Sequence, residues 1–438
     1  MKGVEILLYI VIMSLTNQKP SFFELNFKSN INSSKIDSST FLNEILFTKL
    51  STNISIGTPK QIIPLIIRFK ISPLSITSSL TIFPKNIIKY NNSLSSTFYS
   101  DNFSDFKKYD FDEFRVGLTA KENFDFGSKN INLNFILAKE IVNDVSGVLG
   151  LNLNDDKLGK FNVLKQLKEK ELISSTVFFF NFENTEDNSP LNYKGKLIIG
   201  AYPHEYNSKK YNKENYFEIK ANSIFQNNKE LYEIKHLEIY YSDEDNKIDF
   251  SESTLSNFDF SRNIIIGTSK FKTFITEIFQ EMYNEKCKEK TVWGLRAFEC
   301  DNDIDINKLK NIKIHYGITN YTFVLKPNDL FTSYNNKLYY LINFYPSNID
   351  FKTWTFGITF LKKYNFVYDQ EKKVIGFYDN KENDFSKTYL KIFLIISLII
   401  IIILSSLYIH NIIFKKQRRI RANELEDNID YIPYEKKT

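Results

Sequence analysis

Side chains able to do acid–base or nucleophilic chemistry are thinly placed along this chain of 438 residues. The four histidines, His204, His236, His315 and His410, are scattered, and the last lies inside a long apolar run near the C-terminus. Such isolated imidazoles read as solvated or locally satisfied groups, not as a base or a metal ligand. No His-Glu-x-x-His, Cys-x-x-Cys, phosphate-loop or Gly-x-Ser-x-Gly pattern occurs, so no cofactor or metal is expected. What remains is carboxylate chemistry, in which two acids sharing one proton activate a water and protonate a carbonyl. The first apolar run that leads into a turn, Gly57 to Arg68, ends on a cation. Between Phe41 and Ser100 the only acid is Glu44. Arginine stays protonated and cannot serve as a base.

The elements that must position these residues are mostly strands. Ile131–Leu137, Val177–Phe182, Leu197–Ile199, Ile264–Ile266, Tyr321–Leu325, Lys337–Phe344 and Lys373–Phe377 are rich in β-branched and aromatic residues and are broken by Gly, Asn, Pro or Asp. Helical periodicity is confined to Asn162–Lys170, Phe271–Glu285 and Ile358–Tyr364. Many short strands with few helices predict stacked sheets or barrels, not a doubly wound α/β fold. Two echoing segments, Val148-Leu149-Gly150 and Thr355-Phe356-Gly357, suggest two related halves, each with a glycine where one backbone passes close to another. The polar stretch from Tyr202 to Glu214 is the expected junction.

A series of landmarks in fixed order carries a family resemblance. These are Gly57-Thr58-Pro59 with Gln61; Asp144-Val145-Ser146-Gly147-Val148-Leu149-Gly150-Leu151; and Gly195-Lys196-Leu197-Ile198-Ile199-Gly200. Gly267-Thr268-Ser269, Leu325-Lys326-Pro327, Trp354-Thr355-Phe356-Gly357 and Ile375-Gly376-Phe377 follow in the second half. Over about Leu50 to Asn380 the chain resembles the pepsin-like aspartic peptidases. The resemblance implies a mainly β, bilobal fold with an inter-lobe cleft, its lobes expected over 40–201 and 215–382.

In that family each lobe supplies one catalytic aspartate from an Asp-Thr-Gly turn. By the landmarks, the two positions fall on Arg68, followed by Phe69-Lys70, and on Ile265, before Ile266-Gly267-Thr268-Ser269. Asp259 is expected only to cap a turn. The glycine-containing flap of the family is replaced by Tyr109-Asp110-Phe111-Asp112-Glu113-Phe114. Both acids and the flap then look lost together, which predicts a pseudoprotease whose cleft binds a peptide or protein. The rival is a working aspartic endopeptidase with a non-standard acid pair. A buried Arg68 would need a carboxylate, a carbonyl or water beside it.

Composition is ordinary for a globular protein, with 42% hydrophobic and 25% charged residues, and a net charge of +5 does not argue for nucleic acid binding. Two apolar segments lie outside the folded part. Residues 1–18 read as a secretory signal peptide. Residues 391–414 are long enough to span a bilayer, and Lys415, Lys416, Arg418, Arg419 and Arg421 behind them predict a cytosolic tail over 415–438. The expectation is a single-pass type I protein of the secretory pathway. There the only two cysteines, Cys287 and Cys300, would pair, and Asn32, Asn53, Asn91, Asn102 and Asn320 head sequons that permit glycosylation.

Overall fold

The computed structural model describes residues 21–429 apart from 30–40, 48, 70, 82–85, 102–106, 109–113, 128, 143, 154–157, 184–191, 221, 227–228, 244–247, 260, 347–348 and 379–384. The signal segment, most of the flap, Asn32 and Asn102 therefore lie outside the described residues. The chain divides into two compact units, Met1–Asp379 and Asn380–Thr438.

In the first unit most expected strands form with small changes of bounds, but Lys337–Phe344 divides into Lys337–Tyr340 and Ile342–Asn343, which belong to different sheets. Val177–Phe182 and Tyr321–Leu325 match, while Lys194–Ile199 and Lys129–Ile141 are longer. The helices Val163–Glu169, Ser269–Tyr283 and Ile358–Tyr364 lie where periodicity placed them. Ser269–Tyr283 shows why: Phe271, Ile275, Phe279 and Tyr283, four residues apart, are its buried stripe, and Thr268 caps it by accepting from Phe271 N–H.

Among the described residues the strands build a 13-stranded sheet, an 8-stranded sheet and a 4-stranded sheet. The large sheet joins the two halves. Phe23–Ser29, Lys194–Ile199 and Val177–Phe182 from the first half continue into Val367–Asp369, Val374–Tyr378 and Tyr216–Lys220 from the second. Tyr202–Glu214, with the short helix Pro203–Tyr206, runs between these groups. One apolar cluster, including the fully buried Leu149, Phe178, Trp354 and Phe356, fills both halves. Burying such side chains contributes roughly 1.5–3 kcal/mol each. Cys287 and Cys300 are disulfide-bonded across the hairpin of Cys287–Val292 and Leu295–Asp301.

The second unit carries the helix Phe385–Ile429, within which Phe393–Arg421 is long and apolar enough to cross a membrane. The helix runs on through the basic cluster that was expected to begin a tail.

Candidate functional site: two equivalent rungs at the ends of parallel strands

Arg68 ends the strand Gln61–Arg68, which pairs in parallel with Gly147–Gly150 so that Ile66, Ile67 and Arg68 face Val148, Leu149 and Gly150. Leu151 N–H continues the ladder by donating to Arg68 O over 2.9 Å. The chain then turns and comes back as Leu74–Thr77, where Leu74 pairs with Leu149 and Ser75 with Val148. A glycine is required at 150, because a Cβ there would lie 2.6 Å from Ile71 O.

The second half repeats this construction. Ile248–Phe258 pairs in parallel with Thr353–Phe356, Phe258 facing Phe356, and Asp259 N–H donates to Phe356 O over 2.9 Å. The next rung is therefore Asp259 against Gly357. Gly357 is as tightly held as Gly150, since an added Cβ would lie 2.2 Å from Ile264 O. The returning strand is Ile265–Ile266, with Ile266 paired to Thr355.

Matching Gly150 with Gly357 makes Asp259 the counterpart of Arg68 and Ile265 the counterpart of Leu74, six positions further on in each half. The position assigned from sequence to Ile265 is thus corrected. Ile265 is fully buried in the core of the returning strand. The tripeptide Gly267-Thr268-Ser269 that suggested the assignment is a helix entry, where Thr268 caps Ser269–Tyr283. The usable signal was spacing: Asp259 precedes the apolar pair Ile265-Ile266 by the six residues that separate Arg68 from Leu74-Ser75.

Asp259 is 1% exposed, and its carboxylate is held on both sides. Oδ1 accepts from Ser261 N–H at 2.9 Å and from the Ser261 hydroxyl, and Oδ2 faces Arg262 Nε at 3.3 Å. It does cap the turn expected of it, and it also occupies the rung. Arg68 is half-buried, so it is not sealed into the interior.

The remaining candidates are dispersed. His204 Nδ1 contacts Tyr378 Oη at 2.5 Å, and burial lowers its pKa from the ordinary imidazole value. His315 contacts Thr322 Oγ1 at 3.0 Å, and His410 lies in the apolar helix. No cluster with metal-ligand composition occurs among the described residues. Asn53 is exposed in the strand Leu50–Ile56, Asn320 is exposed in a turn, and Asn91 Oδ1 accepts from Ser93 N–H at 3.2 Å and Ser93 Oγ at 2.7 Å. A cavity of about 490 Å³ involves Leu80, Arg115 and Lys139 but neither rung.

Two pseudo-equivalent strand ends, each crossed by a glycine-bearing strand, are thus present, one bearing a cation and the other a carboxylate. No curated protein matches the chain. The family model for eukaryotic aspartyl protease matches residues 49–379, which include both rungs and all three bridging strands of the second half. The chain belongs to the eukaryotic aspartyl protease family.

Proposed function

We propose that this protein is a membrane-anchored pepsin-like domain that does not hydrolyse peptides and that uses its cleft or surface to bind a peptide or protein segment. The observation that carries the reading is Arg68 on the rung equivalent to Asp259. Aspartic proteolysis needs two carboxyl groups that pass one proton between them. A guanidinium in one of those places neither accepts a proton from water nor delivers one to a carbonyl at physiological pH. Asp259 alone, engaged by Ser261 and Arg262, is left as a structural and electrostatic group. The apolar length of Phe393–Arg421 supports a single membrane anchor, and Lys415 to Arg421 support a cytosolic C-terminus. A signal peptide over 1–18 completes a type I arrangement in the secretory pathway.

The alternative of an active endopeptidase retains one supporting observation, since Asp259 keeps one acid in place. It requires a second carboxylate near Arg68. The full chain in detergent micelles, incubated with a mixed peptide library at acid pH with and without a transition-state-type aspartic protease inhibitor, distinguishes the two. The expected result is retained peptides with no inhibitor-sensitive cleavage. Cleavage that the inhibitor blocks, and that Asp259→Asn abolishes, overturns the reading.

A further inference from the structure

The hairpin closed at its base by Cys287 and Cys300 carries at its tip a residue that fits poorly where it stands. Its last rung pairs Val292 with Leu295, so Trp293-Gly294 is a two-residue loop. Trp293 has φ 48° and Gly294 φ 77°. A two-residue turn with positive φ at both positions is the kind that takes asparagine, aspartate or glycine, because a bulky side chain crowds its own backbone there. Gly294 meets that demand and Trp293 does not. Burial does not explain the choice either. Trp293 is 74% exposed, whereas Val292 and Leu295 beneath it are buried. The fold therefore holds an indole in water at a position that turn chemistry alone gives to a small polar residue.

The surroundings of the indole narrow what it can meet. Toward the stem, Lys288, Glu289, Lys290 and Thr291 are exposed. Lys290 faces Glu299 at 3.7 Å and Arg296 Nε faces Glu289 at 3.4 Å, and these two cations are the only charges within three residues of Trp293. A protein interface places its aromatic anchors at the centre of a wide, desolvated patch. A single ring above a charged stem supplies no such patch. The boundary of a bilayer suits the opposite arrangement, an amphipathic ring at headgroup level with lysine and arginine beside it reaching toward phosphate. The chain also stays near such a boundary. The last strand of the domain ends at Tyr378, and the segment long enough to cross a membrane begins at Phe393. Even fully extended, residues 379–392 reach at most about 50 Å.

We propose that the Trp293 hairpin is a second, interfacial contact with the membrane: its indole enters the headgroup region of a phospholipid bilayer, and Lys290 and Arg296 face the lipid phosphates. The proposal rests on the membrane anchor read from Phe393–Arg421, but not on whether the domain hydrolyses peptides. The apolar helix retains the chain in the bilayer, and the hairpin adds a contact that depends on one side chain.

Tryptophan emission reads this contact directly, because the chain has only two tryptophans and the other, Trp354, is fully buried in the core. The full chain is reconstituted into vesicles of phosphatidylcholine and phosphatidylserine, and flotation with the vesicles reports the anchor. Emission is then compared with that in vesicles whose lipid is brominated near the headgroup end of its acyl chains. The expected result is a fall in emission in the brominated vesicles that is lost in Trp293→Phe, whose remaining signal comes from Trp354 and verifies the fold. Trp293→Asn, which gives the turn a residue it favours, should also lose the quenching while its urea midpoint is no lower than that of the unaltered chain. A lower midpoint for Trp293→Asn means that the indole serves the fold, and the proposal fails. A chain that floats yet is quenched no more than Trp293→Phe overturns the hairpin contact and leaves the anchor standing. A chain that does not float overturns both.

Discussion

Asp259→Asn separates a structural carboxylate from a catalytic one. The side chain is 1% exposed, accepts twice from Ser261 and faces Arg262, whose side chain is 38% exposed. Asparagine keeps an acceptor for Ser261 N–H but loses the charge. A hydrogen bond to a charged group contributes about 1.5–3 kcal/mol and a neutral one about 0.5–1.5, so two weakened bonds cost roughly 2 kcal/mol. The Arg262 pair adds less than about 1 kcal/mol because its cation is screened by solvent. The total is about 2–3 kcal/mol, whereas Arg262→Ala costs at most about 1 kcal/mol. Urea unfolding of the full chain in micelles, followed by tryptophan fluorescence, reads both, since Trp354 is fully buried and reports loss of the core. An unchanged midpoint for Asp259→Asn would refute the role given to this carboxylate. So would a larger loss from Arg262→Ala than from Asp259→Asn.

Two further substitutions test the frame around the rungs. Gly357→Ala puts a methyl 2.2 Å from Ile264 O and 2.5 Å from Arg262 O, so the folded domain is lost, whereas Gly317→Ala meets nothing within 4 Å and shifts the unfolding midpoint by less than about 0.5 kcal/mol equivalent; similar midpoints for the two would discredit the threaded construction. Burial lowers the pKa of His204 in the folded state, so its contribution is complete above the unfolded value of 6.5 and is lost as pH falls through the lower folded value. Thermal scans from neutral to mildly acid pH should show a slope that His204→Phe flattens, and an identical slope in the variant would count against it.

Much of the fold was legible because it is written in short-range patterns. Val177–Phe182, an aromatic run between a serine pair and a charged loop, became a central strand with the predicted bounds. Ser269–Tyr283 announced itself by apolar residues every fourth position. Gly150 and Gly357 were readable as crossing points, and the Cβ distances at both explain why glycine stands there. The site was half legible. The landmarks pointed to Arg68 and Ile265, whereas the ladder sets Arg68 opposite Gly150 and matches it with Asp259, six residues before Ile265. A capping threonine and a catalytic-turn threonine look alike in sequence, and only the ladder partner tells them apart. The helix Phe41–Phe47 escaped notice altogether. Seven residues are too few for a clear period, and its partners are residues 264–266 and 295–341, far along the chain.

The shared sheet also fixes an order of assembly. Tyr368 pairs with Phe178, 190 residues earlier, so the aromatic strand Val177–Phe182 stands with one unpaired edge until nearly the whole domain has been synthesised. Pairings this distant close slowly, and an open apolar edge invites association with other chains while it waits. The last bridging strand ends at Tyr378, and the membrane-length segment begins at Phe393. Maturation of this domain is therefore a late event: the chain becomes competent to close only as the apolar segment Phe393–Arg421 is being made.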